Sequence, residues 1–205
     1  NNISIIDPLF TIPLLILIIT AGLKQKKIFA VIAILWAVFY LSLGVYQKNE
    51  AIKVSKTIAK SRGHDAIRVD VKPSIGNLLL WKSIYETQDK FYVDAIRLGW
   101  SPKIFNGESI DKINIQSAFP WLMLKSQQAK DIKRFKWFSD GYIAINPKNK
   151  NQIIDIRYST LPHEIGGLWG IELSKEKGNN NHVKYITNRT ISKTKFKIIK
   201  EMLFN

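Results

Sequence analysis

The hydrophobic pattern divides the chain into two unlike parts. Residues 3–23 form an apolar run whose one charge is Asp7, and residues 28–46 form a second run with no charge. Each is close to the ~20 residues a helix needs to cross a hydrocarbon core about 30 Å thick. A pair of buried helices in a soluble domain is the competing reading, but uncharged runs of this length are uncommon there. Lys24, Gln25, Lys26 and Lys27 separate the runs, a linker so short that the two helices must be antiparallel. The pattern therefore predicts an α-helical transmembrane hairpin over residues 1–46, with spans at 3–23 and 28–46. Asp7-Pro8 marks the start of the first helix, because Asp caps well and Pro suits the first helical position. Ionisable groups at membrane depth are costly and tend to be kept for chemistry, so Asp7 is also the candidate catalytic or metal-ligating carboxylate.

From Gln47 the period changes. Ala51, Val54, Ile58 and Ala59 share one face of a helix that continues out of the membrane to Arg62 and ends at Gly63. Residues 66–71 alternate, with Ile67, Val69 and Val71 on one side. Segments 77–86 and 91–100 flank the polar Thr87-Gln88-Asp89-Lys90 and read as a β-hairpin. A loop is expected over 101–114 and a helix over 120–138, with Pro120 in its first turn and Leu124, Ile132 and Phe135 on one face. Strands are expected over 142–146, 152–158, 168–173 and 182–187, and an amphipathic helix over 192–204. Residues 47–205 thus read as a small α+β domain with an antiparallel sheet.

Charge adds a partner class. The net charge is +15, and residues 1–46 carry three lysines against Asp7, so the domain holds +13 of it. That balance suits a lipid bilayer with anionic head groups. Lys133, Arg134, Lys136 and Trp137 could serve nucleic acid, but a solvated helix face beside a core aromatic accounts for the same residues, and nucleic acid is disfavoured as a partner. Lys48, Lys53, Lys56, Lys60 and Arg62 outnumber the three linker lysines, which places the domain on the cytoplasmic side.

Catalytic chemistry is sparse in the sequence. The absence of cysteine excludes disulfides, thiolate metal sites and a cysteine nucleophile. The three histidines, His64, His163 and His182, are far apart, and none has a ligand partner at helical spacing. His163-Glu164 follow Pro162 and read as a loop. Asp155 and Arg157 share a strand face and read as an ion pair. There is no phosphate-cradling glycine loop, no G-x-S-x-G and no H-E-x-x-H.

Several blocks nevertheless resemble one bacterial inner-membrane family. They are Ile5-Ile6-Asp7-Pro8-Leu9-Phe10-Thr11, Asn77-Leu78-Leu79-Leu80-Trp81, Phe91-Tyr92-Val93-Asp94-Ala95, Phe135-Lys136-Trp137-Phe138-Ser139-Asp140-Gly141, Asp155-Ile156-Arg157-Tyr158-Ser159 and Leu161-Pro162-His163-Glu164-Ile165, followed by Leu168-Trp169-Gly170-Ile171. Their order along nearly the whole chain resembles the membrane-bound metal-dependent hydrolases, including the LexA-regulated inner-membrane members. The resemblance implies a multi-pass protein of the bacterial inner (cytoplasmic) membrane and a hydrolase that uses a divalent metal ion. It also implies that this chain, which opens at Asn1 inside an apolar run, is the C-terminal part of such a protein. The family's histidine motif, of the H-R-G-x-T-H-S kind, would lie upstream, and Asp7 is the residue here nearest to it. A non-catalytic membrane-anchored module that binds anionic lipid or nucleic acid is the alternative.

Overall fold

The structure is a computed structural model that describes residues 2–189 and 192–204. Helix α1 spans Pro8–Lys24 and α2 spans Lys27–Ser61. Asp7 caps α1 by accepting from Phe10 N at 3.3 Å, and Pro8 follows at the first helical position. Gln25 takes the left-handed conformation that turns the chain. The two helices then lie antiparallel. Trp36 Nε1 donates to Phe10 O at 3.3 Å, and Tyr40 Oη reaches Asp7. Gly44 sits so close to Asn2 that an added Cβ would come 2.6 Å from its carbonyl oxygen.

The 35 residues of α2 make it about 52 Å long. Among the described residues it is the one helix long and apolar enough to cross a membrane. The 17 residues of α1 are apolar but shorter, about 25 Å. The expected pair of spans is therefore met in part: the helices pack as a hairpin, and only α2 has the length of a span. Neither helix is dressed as a core helix. No residue of α1 is buried, and Leu9, Leu15, Ile19, Ile34, Leu35 and Phe39 are all exposed.

The second half of α2 leaves this apolar setting and packs on a sheet through Ala51, Ser55, Ile58 and Ala59. The continuous helix expected through residue 61 is present, and Gly63 follows it at φ +69°, a conformation that glycine adopts without strain. Arg62 fixes the exit. Its guanidinium donates to both oxygens of Asp94 at 2.7 and 2.8 Å, and also to Tyr85 Oη and Asn106 Oδ1.

Both sheets are antiparallel. The first holds β1 (Arg68–Pro73), β2 (Leu80–Glu86), β3 (Lys90–Arg97) and β4 (Lys103–Phe105) in that order, with β5 (Ser109–Asp111) also pairing with β3. After the short α3 (Ile115–Ala118) and α4 (Gln127–Phe138) comes the second, of β6 (Ile143–Asn146), β7 (Asn149–Asp155), β8 (Trp169–Glu172) and β9 (Lys184–Thr187). Helix α5 covers Lys193–Phe204. Two expectations change. The stretch 101–114 is no plain loop, since β4 and β5 both add to β3 there. The helix expected from residue 120 begins at Gln127, because Ser126 is the residue whose hydroxyl caps it, accepting from Ala129 N.

Strand β2 is the centre of the molecule. Trp81, Ser83 and Tyr85 turn toward α2, where Ser83 Oγ meets Ser55 Oγ at 2.6 Å. Alternation sends Leu80, Lys82 and Ile84 to the opposite side. There Leu80 packs with Ala95 and Met202 of α5, and Ile84 packs with Tyr142, Ala144 and Ile154 at the second sheet. Lys82 stands between these two apolar clusters.

Candidate active site

A strand with both faces covered has no place for a solvated ammonium, and Lys82 is 3% exposed. Its Nζ donates to Ser159 Oγ at 2.6 Å and to the carbonyl oxygen of Glu164 at 2.9 Å. Burial pushes the Lys82 pKa down to about 7, with partial opposition from the carboxylates of Asp155, Glu108 and Glu164. An amine in that range is neutral in a large fraction of molecules at neutral pH and can take a proton.

Ser159 lies in the segment that leaves β7 and returns to β8. Its hydroxyl accepts from Lys82 and donates to Leu161 O at 2.6 Å, which folds the segment into a tight turn over the lysine. Two hydrogen bonds and a glycine hold that turn. Ile165 N donates to Glu108 Oε2 at 2.6 Å. Leu168 N donates to Tyr158 O at 3.0 Å. Gly107 leaves room for it, since a Cβ there would run into the carbonyl oxygens of Val93 and His163. Just before the turn, Asp155 is fully buried, clasped by Arg157 at 3.0 and 2.7 Å and reached by Trp169 Nε1 at 3.2 Å.

Ser159 is half-buried and opens, with Lys82, on a cleft of about 50 Å³ walled by Pro73, Ile75, Tyr158 and Leu168. A larger cleft of about 700 Å³ lies beside β5 and α3 and shares Glu108 with the back of this site, but its lining holds no buried base against a hydroxyl. Lys82 and Ser159 are therefore the pair with nucleophile-and-base chemistry: a hydroxyl at a cleft and a buried amine within hydrogen-bond reach of it.

The residues singled out from the sequence lie elsewhere. Asp7 is 3% exposed, and both of its oxygens accept from the single hydroxyl of Tyr40, at 2.9 Å each. With Phe10 N, its recorded partners are donors, and among the described residues no three His, Cys, Asp or Glu side chains are grouped to hold a metal. In this setting Asp7 caps α1 and ties it to Tyr40 of α2. His163 borders the Ser159 turn, with a buried Nδ1 that has no hydrogen-bond partner among the described residues. His182 instead pairs with Asp131 at 2.9 Å, and Trp137 is exposed at the end of α4 rather than part of a core. Asp155 and Arg157 form the expected ion pair.

Sequence reasoning passed over Lys82 and Ser159. One signal was present: Lys82 interrupts Leu80 and Ile84 on a face that is otherwise apolar. Nothing local pointed to its partner, which is 77 residues away. Compared with family models, curated proteins and solved structures, the chain matches none.

Proposed function

We propose that the protein is a membrane-anchored hydrolase in which Ser159 is the nucleophile and Lys82 the general base. The observation that carries this reading is the 2.6 Å approach of a buried lysine amine to a serine hydroxyl at a cleft. The anchor is α2, with α1 beside it as a second crossing. The exposed apolar surfaces of both helices support that placement, because a patch of this extent facing water would drive aggregation. The basic domain then lies on the cytoplasmic side, where its charge suits anionic lipid.

The chemistry is acyl transfer to water. Neutral Lys82 accepts the Ser159 proton, which first rotates about the Cβ–Oγ bond from Leu161 O onto Nζ. Oγ attacks the substrate carbonyl carbon and forms a C–O bond as the carbonyl π pair moves to oxygen. That pair returns, the bond to the leaving group breaks, and the Lys82 ammonium gives its proton to that group. Water then adds to the acyl-serine with Lys82 again as base. The carboxylic acid leaves and Ser159 regains its proton.

The residue blocks that resemble those of metal-dependent hydrolases motivate a second reading. In it hydrolysis depends on a divalent metal ion, with Asp7 among its ligands. The two differ in where activity resides. The test is hydrolysis of small chromogenic esters by purified protein, with and without chelator. On the proposed mechanism, Ser159→Ala and Lys82→Met each lower the rate about a hundredfold or more. The rate rises as Lys82 loses its proton near pH 7, and chelator has no effect. Activity that survives both substitutions and is lost to chelator would transfer the function to the metal reading. Absence of hydrolysis together with binding to anionic vesicles would leave the non-catalytic module.

A further inference from the structure

The cleft at Ser159 opens at the membrane-proximal end of the domain. The turn between β1 and β2, residues 74–79, supplies Ile75 to the cleft wall. The same turn touches the start of α1, since Gly76 N donates to Ile6 O at 3.1 Å and a Cβ on Gly76 would lie 3.5 Å from Pro8 Cδ. Leu78 and Leu98 pack in one cluster with Tyr40, and Ile3 and Leu43 lie against it. That is the level at which α2 passes from its lipid-type surface to its sheet-packed half.

Large apolar side chains are exposed at this end, beside Lys72 and Arg157 of the cleft wall. Ile75 and Leu79 are each 45% exposed, and Trp100 is fully exposed two residues after Leu98, whose N–H bonds Leu79 O. Ile5 and Ile6 continue the patch onto the helices. An exposed Trp beside aliphatic residues, at the level where apolar helices end, suits the lipid–water interface. The cleft adds a second argument, because about 50 Å³ admits a scissile carbonyl and little else. The bulk of any substrate has to stay outside it, on the side where the patch lies.

We infer that the domain lies down on the bilayer through Ile75, Leu79 and Trp100, and that Ser159 there acts on acyl esters presented at the membrane surface. The partner is the lipid surface, and its contact surface is continuous with the apolar faces of α1 and α2. The substrate half of this inference rests on the Ser159–Lys82 reading, whereas the docking half stands on the exposed patch.

The chain has no cysteine, so single labels can be placed cleanly. An environment-sensitive dye would be attached at Ile75→Cys, Leu79→Cys, Trp100→Cys and, as a control on the exposed end of α4, Trp137→Cys. Each protein would be reconstituted in phosphatidylcholine–phosphatidylglycerol vesicles. Dyes at 75, 79 and 100 should emit blue-shifted and be quenched by lipids carrying a shallow acyl-chain quencher, while the dye at 137 should report water. Equal exposure at all four positions would overturn the docking. In parallel, Leu79→Asp/Trp100→Asp protein would be given a soluble butyrate ester and a long-chain ester embedded in vesicles. Loss of about tenfold or more on the embedded ester, with the soluble ester unchanged, is expected. Equal rates on both esters would overturn the surface-substrate inference. A wild-type protein that hydrolyses neither ester would instead defeat the Ser159–Lys82 reading, with the docking still decided by the dyes.

Discussion

Lys82 is the residue on which the site turns, and its position follows from β-strand alternation. One face of β2 feeds α2 and the other feeds α5 and the second sheet, so any side chain between Leu80 and Ile84 is desolvated. A buried ammonium is expensive, and among the described residues the fold answers with two acceptors, Ser159 Oγ and Glu164 O. The cost has a pH signature. Burial lowers the Lys82 pKa from 10.5 in the open chain to about 7 in the fold. Between those values the unfolded chain binds a proton that the folded chain releases, so this residue makes stability rise as pH climbs from about 7 toward 10.5. Lys82→Met should flatten that slope and, near pH 6 and below, stabilise the fold. Thermal melts in detergent across this range check both, and a slope unchanged by Lys82→Met would mean that the lysine keeps its proton throughout.

At the scale of elements, legibility followed the range of the interactions. Local signals read well: Asp7-Pro8 starts α1, Gly63 ends the long helix, and Thr87-Gln88-Asp89 turns β2 into β3. The misread elements depend on distant partners. Strands β4 and β5 have three residues each and exist because β3 offers them an edge. Pro120 suits a helix start, yet the Ser126 hydroxyl sets the first turn of α4. The site belongs to this second class, because its lysine and serine meet only when the turn after β7 folds across β2. Gly107 tests that closure. A methyl group there would meet the Val93 and His163 carbonyls and push the turn from its seat. Gly107→Ala should cost about 1–3 kcal/mol of stability, as overpacking does, and should lower hydrolysis by more than the lost folded fraction explains. A variant with reduced thermal stability but wild-type turnover per folded molecule would show that the turn does not position Ser159.

The whole molecule is a pair of apolar helices and a two-sheet domain joined without a linker. One helix serves both, giving its first half an apolar lipid-type surface and its second half to the core. The Arg62–Asp94 pair then locks its end to β3. Such a joint holds the domain at a fixed height above the start of α1, and that geometry would bring the Ser159 cleft to the bilayer. The proposed mechanism requires Ser159 to be an activated nucleophile. The most direct measurement is labelling of the full chain with a fluorophosphonate, which forms a stable bond with activated serine hydroxyls, followed by mapping of the adduct by peptide mass spectrometry. One adduct is expected, on Ser159, that increases as the pH rises through about 7 and is absent from the Lys82→Met protein. An unlabelled Ser159 in folded protein, or equal labelling with and without Lys82, would contradict it.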